Sequence, residues 1–308
     1  MIDTGFTMGE GPLLPFPFRD GAAKSEAEAA HDLAICAAVG AGVPQDWSAA
    51  LDHLQRAAEL GLHLAQAELA ALAGDWHLSG EIVAGSAAVS DWTRLRRAVD
   101  LAAWLTAPGA RIASASPRIA MVEGFAAPEI CDWLIGRARP RLSPAKVYDH
   151  DTGGARSEGV RTNSECHFST DESDLLLLFL RARMERVTEL PMRAMEATAI
   201  LHYLPGQEFL PHFDFLDTAT PGYAKDVAEH GQRVLTFLLC LNDDYEGGET
   251  EFPLLGKRWK GHKGSALFFW NVEPDGMPDR RTAHAGLPPT RGEKWLLSQW
   301  IRGPALRT

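Results

Sequence analysis

His212 and Asp214, in the run LPHFDF, stand two residues apart, so an extended strand would point both side chains to one face. An imidazole and a carboxylate so placed can bind a single cation. The spacing alone is weak evidence, because 11 histidines and 20 aspartates give about 0.7 such pairs by chance. A third ligand candidate, His284 in RRTAHAGLPP, follows a strand-like run and a polar loop. Two imidazoles and one carboxylate leave roughly three coordination positions open, which suits an Fe(II) that must take a bidentate cosubstrate and dioxygen. Zinc more often has a fourth protein ligand or serves hydrolysis. Ten residues beyond His284, Lys294 begins a strand in which Lys294, Leu296, Ser298 and Trp300 share a face. A lysine that opens an inward-facing row needs an anionic partner. The other histidines form no second cluster of ligand spacing.

These residues need a scaffold of strands. Beyond Pro117 the chain turns to Val-, Ile-, Leu- and Phe-rich runs separated by Gly, Pro and Asp. Strands are expected at Arg118–Glu123, Lys146–Tyr148, Ala197–Tyr203, Val234–Asn242, Ser265–Asn271 and Lys294–Ile301, with helices at Pro128–Ala138 and Asp171–Val187. The strands are too short and too closely spaced for βαβ crossovers, so an antiparallel jelly roll of roughly eight strands with external helices is the expected architecture. Upstream, residues 24 to 107 are helical throughout. Asp46 is placed as an N-cap, Gly61 follows the second helix, and Gly40, Gly42 and Pro44 break the chain before it. Ala29, Leu33 and Ala34 superpose on Ala65, Leu69 and Ala70 at a constant offset, as stacked helical hairpins would. APGARIASASP, from Ala107 to Pro117, reads as the boundary.

The pattern H-x-D…H…K formed by His212, Asp214, His284 and Lys294 resembles that of the prolyl 4-hydroxylase group of Fe(II)/2-oxoglutarate dioxygenases. The likeness runs from about Pro117 to Arg302 and takes in VRTNSECHF, YLPGQEF, RVLTFLLCLND, GGETEFP, KGSALFFWN and KWLLSQWI. It implies a double-stranded β-helix (jelly-roll) fold, α+β in class, and makes His212, Asp214 and His284 the iron ligands. Lys294 would meet the distal carboxylate of 2-oxoglutarate, Thr236 would give that carboxylate a second hydrogen bond, and Tyr203 would reach its iron-side end. Trp300 would lie beside the cosubstrate or the distal histidine. With O2, and with ascorbate as reductant, such an enzyme decarboxylates 2-oxoglutarate to succinate and CO2 and hydroxylates an unactivated C–H. Arg161 and Asn163 stand where members of the group grip a peptide, whereas Phe209 replaces their usual aromatic hydroxyl three residues before the first ligand. The stretch Phe215 to Gln232 is a lid candidate of its own composition.

GAGVPQDWSAALDHLQRAAELG, Gly40 to Gly61, similarly resembles SEL-type tetratricopeptide-like repeats, which usually hold proteins or peptides. Fewer than three repeats cannot form a free-standing solenoid, so this region either recruits a partner or braces its neighbour. The expected organisation is an N-terminal extension over 1–21, a helical domain over 22–108 and the dioxygenase domain over 109–308. A prolyl residue of a peptide or protein is the first substrate expected; a free amino acid or natural-product small molecule is the second. From a different class comes a catalytically idle binding protein, which the complete ligand set and Lys294 disfavour. Halogenation is disfavoured because Asp214 fills the position that halide needs.

The composition is that of an ordinary globular protein, with 45% hydrophobic and 23% charged residues over 308 positions. No apolar run approaches the ~18 to 20 residues that span a bilayer. Thirty Lys and Arg against 41 Asp and Glu leave a net charge of −11, which argues against nucleic acid as a partner. The acidity is N-terminal: six basic against fourteen acidic residues over 1–108, but ten against four over 254–308. Cys36, Cys131, Cys166 and Cys240 lack C-x-x-C spacing and are expected to be buried free thiols. The opening MIDTGFTMGEGPLLPFPFRDG has no cationic region before an apolar core, so no secretion signal is expected and a reducing cytoplasm is the expected location.

Overall fold

The computed structural model describes residues 24–87, 91–145, 147–149, 154–156 and 160–303. The expected N-terminal extension lies outside the described residues. The chain divides into two compact units: among the described residues, one takes 24–107 with 169–186, the other 108–168 with 187–303.

The helical unit opens with two hairpins. Glu26–Val39 is started by a reciprocal capping box between Ser25 and Glu28 and stopped by Gly40, whose φ of 74° is the left-handed conformation that glycine adopts without strain. Asp46 caps Trp47–Glu59 as expected, its side chain accepting from the Ala49 N–H. His63–Leu72 and Trp76–Val83 form the second hairpin, whose connection is much shorter than the first. Alanines such as Ala34, Ala50, Ala57, Ala58, Ala65 and Ala70 are wholly buried and let these helices approach closely. The expected equivalence of the two hairpins fails at Leu33, which is 52% exposed while its counterpart Leu69 is buried. An offset that matches residue types therefore did not match faces.

The helix expected over Asp171–Val187 is a 3-10 turn at Thr170–Glu172 followed by Leu175–Thr188. Asp174 restarts it by accepting from the Leu177 N–H at 2.8 Å. Its residues up to Arg186 group with the helical unit, where Phe179 stacks on Trp47 at 4.4 Å and tilts against Trp104 at 5.5 Å.

The second unit is a jelly roll. Its larger sheet has eight strands in the order Arg111–Ala115, Arg118–Val122, Ala266–Trp270, Arg233–Cys240, Lys294–Arg302, Thr198–Tyr203, Ser164–Phe168 and Ser143–Pro144. The smaller has four: Lys257–Trp259, Thr250–Phe252, His284–Gly286 and Phe209–His212. Every pairing within these two sheets is antiparallel. Leu201, Leu238, Leu267 and Leu296 from the larger sheet meet Phe252 and Trp259 from the smaller in one buried cluster. Pro128–Ala138 forms the expected helix with proline in its first turn. Gly264 sits at φ 82°, and a Cβ there would come within 2.1 Å of the Ala126 carbonyl oxygen. Only glycine fits where that turn crosses the backbone before the helix. The four cysteines are free and buried, as expected.

Candidate active site

The smaller sheet brings the three ligand candidates together. His284 and His212 are direct cross-strand partners at the end of its two neighbouring strands, and Asp214 follows His212 just past the strand. One ligand atom from each residue lies within 4.8 Å of the others. Each imidazole gives its Nδ1 to a backbone carbonyl, His212 to Leu210 at 2.8 Å and His284 to Thr282 at 3.0 Å. This fixes Nδ1 as the protonated nitrogen and leaves the Nε2 lone pair free. His212 Nε2 lies 3.7 Å from Asp214 Oδ1, and His284 Nε2 lies 3.4 Å from Asp214 Oδ2.

The electrostatics suit a cation. Burial, reinforced by the neighbouring His284, pushes the His212 imidazole down to about 3, so it is neutral and able to donate its lone pair at physiological pH. Burial alone would raise the Asp214 carboxyl. His284, His212, the Thr236 hydroxyl and Arg233 outweigh it and hold the group below its ordinary value of 3.8, ionised. A donor set of two imidazoles and one carboxylate, in which no fourth protein ligand joins the cluster among the described residues, fits a ferrous ion with open positions.

Lys294 is paired across the sheet with Tyr203 and is 2% exposed. Its Nζ has no hydrogen-bond partner among the described residues and sits 5.0 Å from the Tyr203 ring centre. Burial lowers the ammonium from its ordinary 10.5 to about 8. A buried ammonium without a partner is costly, and an incoming carboxylate would relieve that cost. Tyr203 is also buried, which pushes its phenol up to about 12 and keeps it a neutral donor. A Cβ on Gly286, two residues from His284, would lie 3.2 Å from the Tyr203 hydroxyl, so that hydroxyl faces the smaller sheet between the lysine and the ligands.

A cleft joins these groups, lined by Lys294, Tyr203, Leu201, Leu296, Thr250, the three ligand candidates, Ser298 and Trp300. It belongs wholly to the jelly-roll unit.

Residues 198–302 match the family model described as "2OG-Fe(II) oxygenase superfamily". The chain is 36% identical over 209 residues to Prolyl 4-hydroxylase 1 of Arabidopsis thaliana, an alignment covering 63% of this chain and 72% of that relative. The chain belongs to the prolyl 4-hydroxylase family of 2OG-Fe(II) oxygenases. It is 32% identical over 208 residues to Probable prolyl 4-hydroxylase 7 of the same plant, covering 60% of this chain and 63% of the relative. Among solved structures, it is similar to the viral collagen prolyl hydroxylase vCPH from Paramecium Bursaria Chlorella virus-1 in its 2OG complex. The two share 27% identity with a TM-score of 0.47, covering 60% of this chain and 96% of that one. Fe(II) is thus the metal and 2-oxoglutarate the cosubstrate of this prolyl 4-hydroxylase family member.

The structure relocates several of the residues singled out in the sequence. Thr236 does not stand beside Lys294. Its cross-strand partner is Trp300, six residues along the strand from Lys294, or roughly 20 Å at the rise of an extended chain. Its hydroxyl donates instead to Asp214 Oδ2 at 2.7 Å. Trp300 lines the opposite end of the cleft from Lys294, its ring 3.6 Å from the Arg233 guanidinium carbon. Arg161 lines the cleft and lies 4.7 Å over the Phe209 ring, which stacks on His212 at 3.5 Å. Asn163 is 1% exposed, too buried to grip a peptide. Its Oδ1 accepts from Arg161 Nε at 2.9 Å, so it braces the arginine.

Sequence reasoning missed Glu165, His167 and Thr250, which also line the cleft. Arg161 pairs with Glu165 at 2.6 Å, and His167 Nε2 lies 3.3 Å from the same oxygen. Glu165 and His167 continue the two-residue alternation begun by Arg161 and Asn163, and that alternation was the available signal. Thr250 lay unmarked inside GGETEFP.

Proposed function

We propose that this 2-oxoglutarate-dependent dioxygenase hydroxylates prolyl residues of a peptide or protein, with His212, Asp214 and His284 holding Fe(II) and Lys294 holding the distal carboxylate of 2-oxoglutarate. The bound metal supplies dioxygen activation coupled to oxidative decarboxylation of the cosubstrate. The chain's own residues bind, orient and exclude water. Each histidine presents Nε2 because a backbone carbonyl holds Nδ1. Lys294, without a hydrogen-bond partner among the described residues, offers a buried positive charge to one end of a dicarboxylate while the triad takes the other. Tyr203, between them, offers a neutral hydroxyl, and Leu201 and Leu296 wall the space with hydrocarbon.

The observation that carries the reading is this buried ammonium, without a hydrogen-bond partner among the described residues, in one cleft with a ligand triad. The prolyl substrate class is supported by relatives named prolyl 4-hydroxylases and by Arg161, whose guanidinium Asn163 and Glu165 hold at the cleft wall. A second reading, a free amino acid, is favoured by the opposed charges of Arg161 and Glu165 in the same cleft, which suit a zwitterion. The helical unit takes in residues 169–186, so the chain leaves the jelly roll after the strand Ser164–Phe168 and returns before its sheet neighbour Thr198–Tyr203. Four buried free thiols support action in a reducing compartment such as the cytoplasm. Among the described residues no helix is long and apolar enough to cross a membrane.

The test adds Fe(II) and 2-oxoglutarate anaerobically, looks for the visible charge-transfer band of the chelate, then admits oxygen and measures succinate with and without proline peptides. The band and peptide-stimulated succinate are expected. Stimulation by free proline or another amino acid, with none by peptides, would transfer the case to the second reading.

A further inference from the structure

Thr236 and Asn271 are both shielded completely from solvent, and neither lines the cleft. They are joined in series to Asp214. The Asn271 Nδ2 amide donates to Thr236 Oγ1 at 3.0 Å, and Thr236 Oγ1 donates to Asp214 Oδ2 at 2.7 Å. A hydroxyl has a single proton. With an amide N–H occupying a lone pair of Oγ1, that proton is directed at the carboxylate. The opposite amide orientation would make the asparagine oxygen compete for the same proton with an anion, the stronger acceptor.

The relay is anchored at its far end. The Asn271 N–H donates to the Val234 carbonyl at 2.8 Å, and the Asn271 carbonyl accepts from the Asp279 N–H at 2.9 Å. Thr236 lies in the strand Arg233–Cys240, the most central part of the larger sheet, with partners on both sides. Asp214, by contrast, lies past the end of the edge strand Phe209–His212, where no ladder fixes its backbone. A ligand on a loop needs an outside restraint if one oxygen is to be presented reproducibly.

We propose that Asn271 and Thr236 are positioning residues for the metal centre: a two-bond relay from the core of the larger sheet that engages Asp214 Oδ2 and leaves Oδ1 as the coordinating oxygen. Occupying one oxygen makes the carboxylate a one-atom ligand and keeps the remaining positions for the cosubstrate and dioxygen. This rests on the reading of His212, Asp214 and His284 as the iron site.

The test titrates metal-free, full-length protein with Co(II) anaerobically and without cosubstrate, following both the heat of binding and the visible ligand-field spectrum. Thr236→Val keeps the shape and removes the hydroxyl; an affinity about 10- to 100-fold weaker is expected, with an altered spectrum. Thr236→Ser, which restores the donor, is expected within about threefold of the parent, and Asn271→Ala to weaken binding in the same direction as the valine variant. His212→Ala serves as the control and is expected to abolish binding. Should Thr236→Val prove insoluble, Thr236→Ala compared with Thr236→Ser gives the same contrast. If His212→Ala loses the metal while both hydroxyl-free variants bind it with parental affinity and spectrum, the relay is refuted and the iron site stands. If His212→Ala binds like the parent, the iron-site reading itself fails. Lower thermal stability with unchanged cobalt affinity would mark Thr236 as merely structural and also overturn the proposal.

Discussion

Lys294→Met is expected to make the cosubstrate-free protein more stable while abolishing its response to 2-oxoglutarate. Methionine has nearly the length and width of the lysine stem, so the packing against Tyr203 and the approach to Gly248 are kept. What disappears is the buried charge. The ammonium falls from 10.5 to about 8 on folding because burial disfavours the charged form. At 1.36 kcal/mol per pH unit, that is a cost of about 3 kcal/mol for keeping the group protonated at neutral pH. The sign follows from the protons bound. Below pH 8 both folded and unfolded chains hold the proton and the cost is complete; between 8 and 10.5 the folded protein has lost it while the unfolded chain retains it, so the cost shrinks; above 10.5 it is gone. Urea denaturation of metal-free protein at pH 7 should therefore show the variant stabilised by up to about 3 kcal/mol, with the gap closing as the buffer is raised toward pH 10. Saturating 2-oxoglutarate should raise the parent's midpoint and leave the variant's unchanged. A variant destabilised at pH 7, or one still stabilised by the keto acid, would refute the idea that this lysine is held charged and unpaired for that ligand.

Other outcomes follow from the same geometry. Cosubstrate affinity should be flat below pH 8 and fall about tenfold per unit well above it, as the free Lys294 loses its proton; a titration of the anaerobic chelate band from acid to base reads this, and a profile flat to pH 10 contradicts it. Arg161→Ala should raise KM for a proline peptide by about one to two orders of magnitude, a lost charge-assisted contact, while KM for 2-oxoglutarate changes little. Gly264→Ala must accommodate a methyl 2.1 Å from a carbonyl oxygen at a positive φ, so a loss of about 3 kcal/mol or more, or failure to recover folded protein, is expected from thermal melts.

The parts of the site legible in the sequence are those whose chemistry travels with local spacing. That His212, Asp214 and His284 converge could be guessed from ligand types, and Lys294 from its place at the head of an alternating strand. Six longer strands showed their apolar runs, and each is present to within a residue or two except the short one near Tyr148, where Lys146 is outside the described residues. What alternation cannot give is position along the barrel. The resemblance assigned Thr236 to the distal carboxylate, whereas its place beside Asp214 depends on the register with Trp300, a long-range fact. Strands of three or four residues such as Thr250–Phe252 and His284–Gly286 are too short to show a period, so the smaller sheet was invisible as a sheet. Asn163 looked available because a polar side chain in a loop-like motif usually is; its burial beneath Arg161 is a tertiary outcome.

The membership of residues 169–186 bears on how this molecule can be cut. A truncation between Ala107 and Pro108, the place its composition recommends, would separate Trp47 and Trp104 from the Phe179 ring they enclose. It would also leave the run Leu175–Leu180, buried throughout, on a fragment without its partners. Such a fragment would bare a continuous oily surface and clump in solution. Segments of the two units alternate along the polymer, and a gene rearrangement that swapped the amino-terminal part for another would have to carry the internal helix with it.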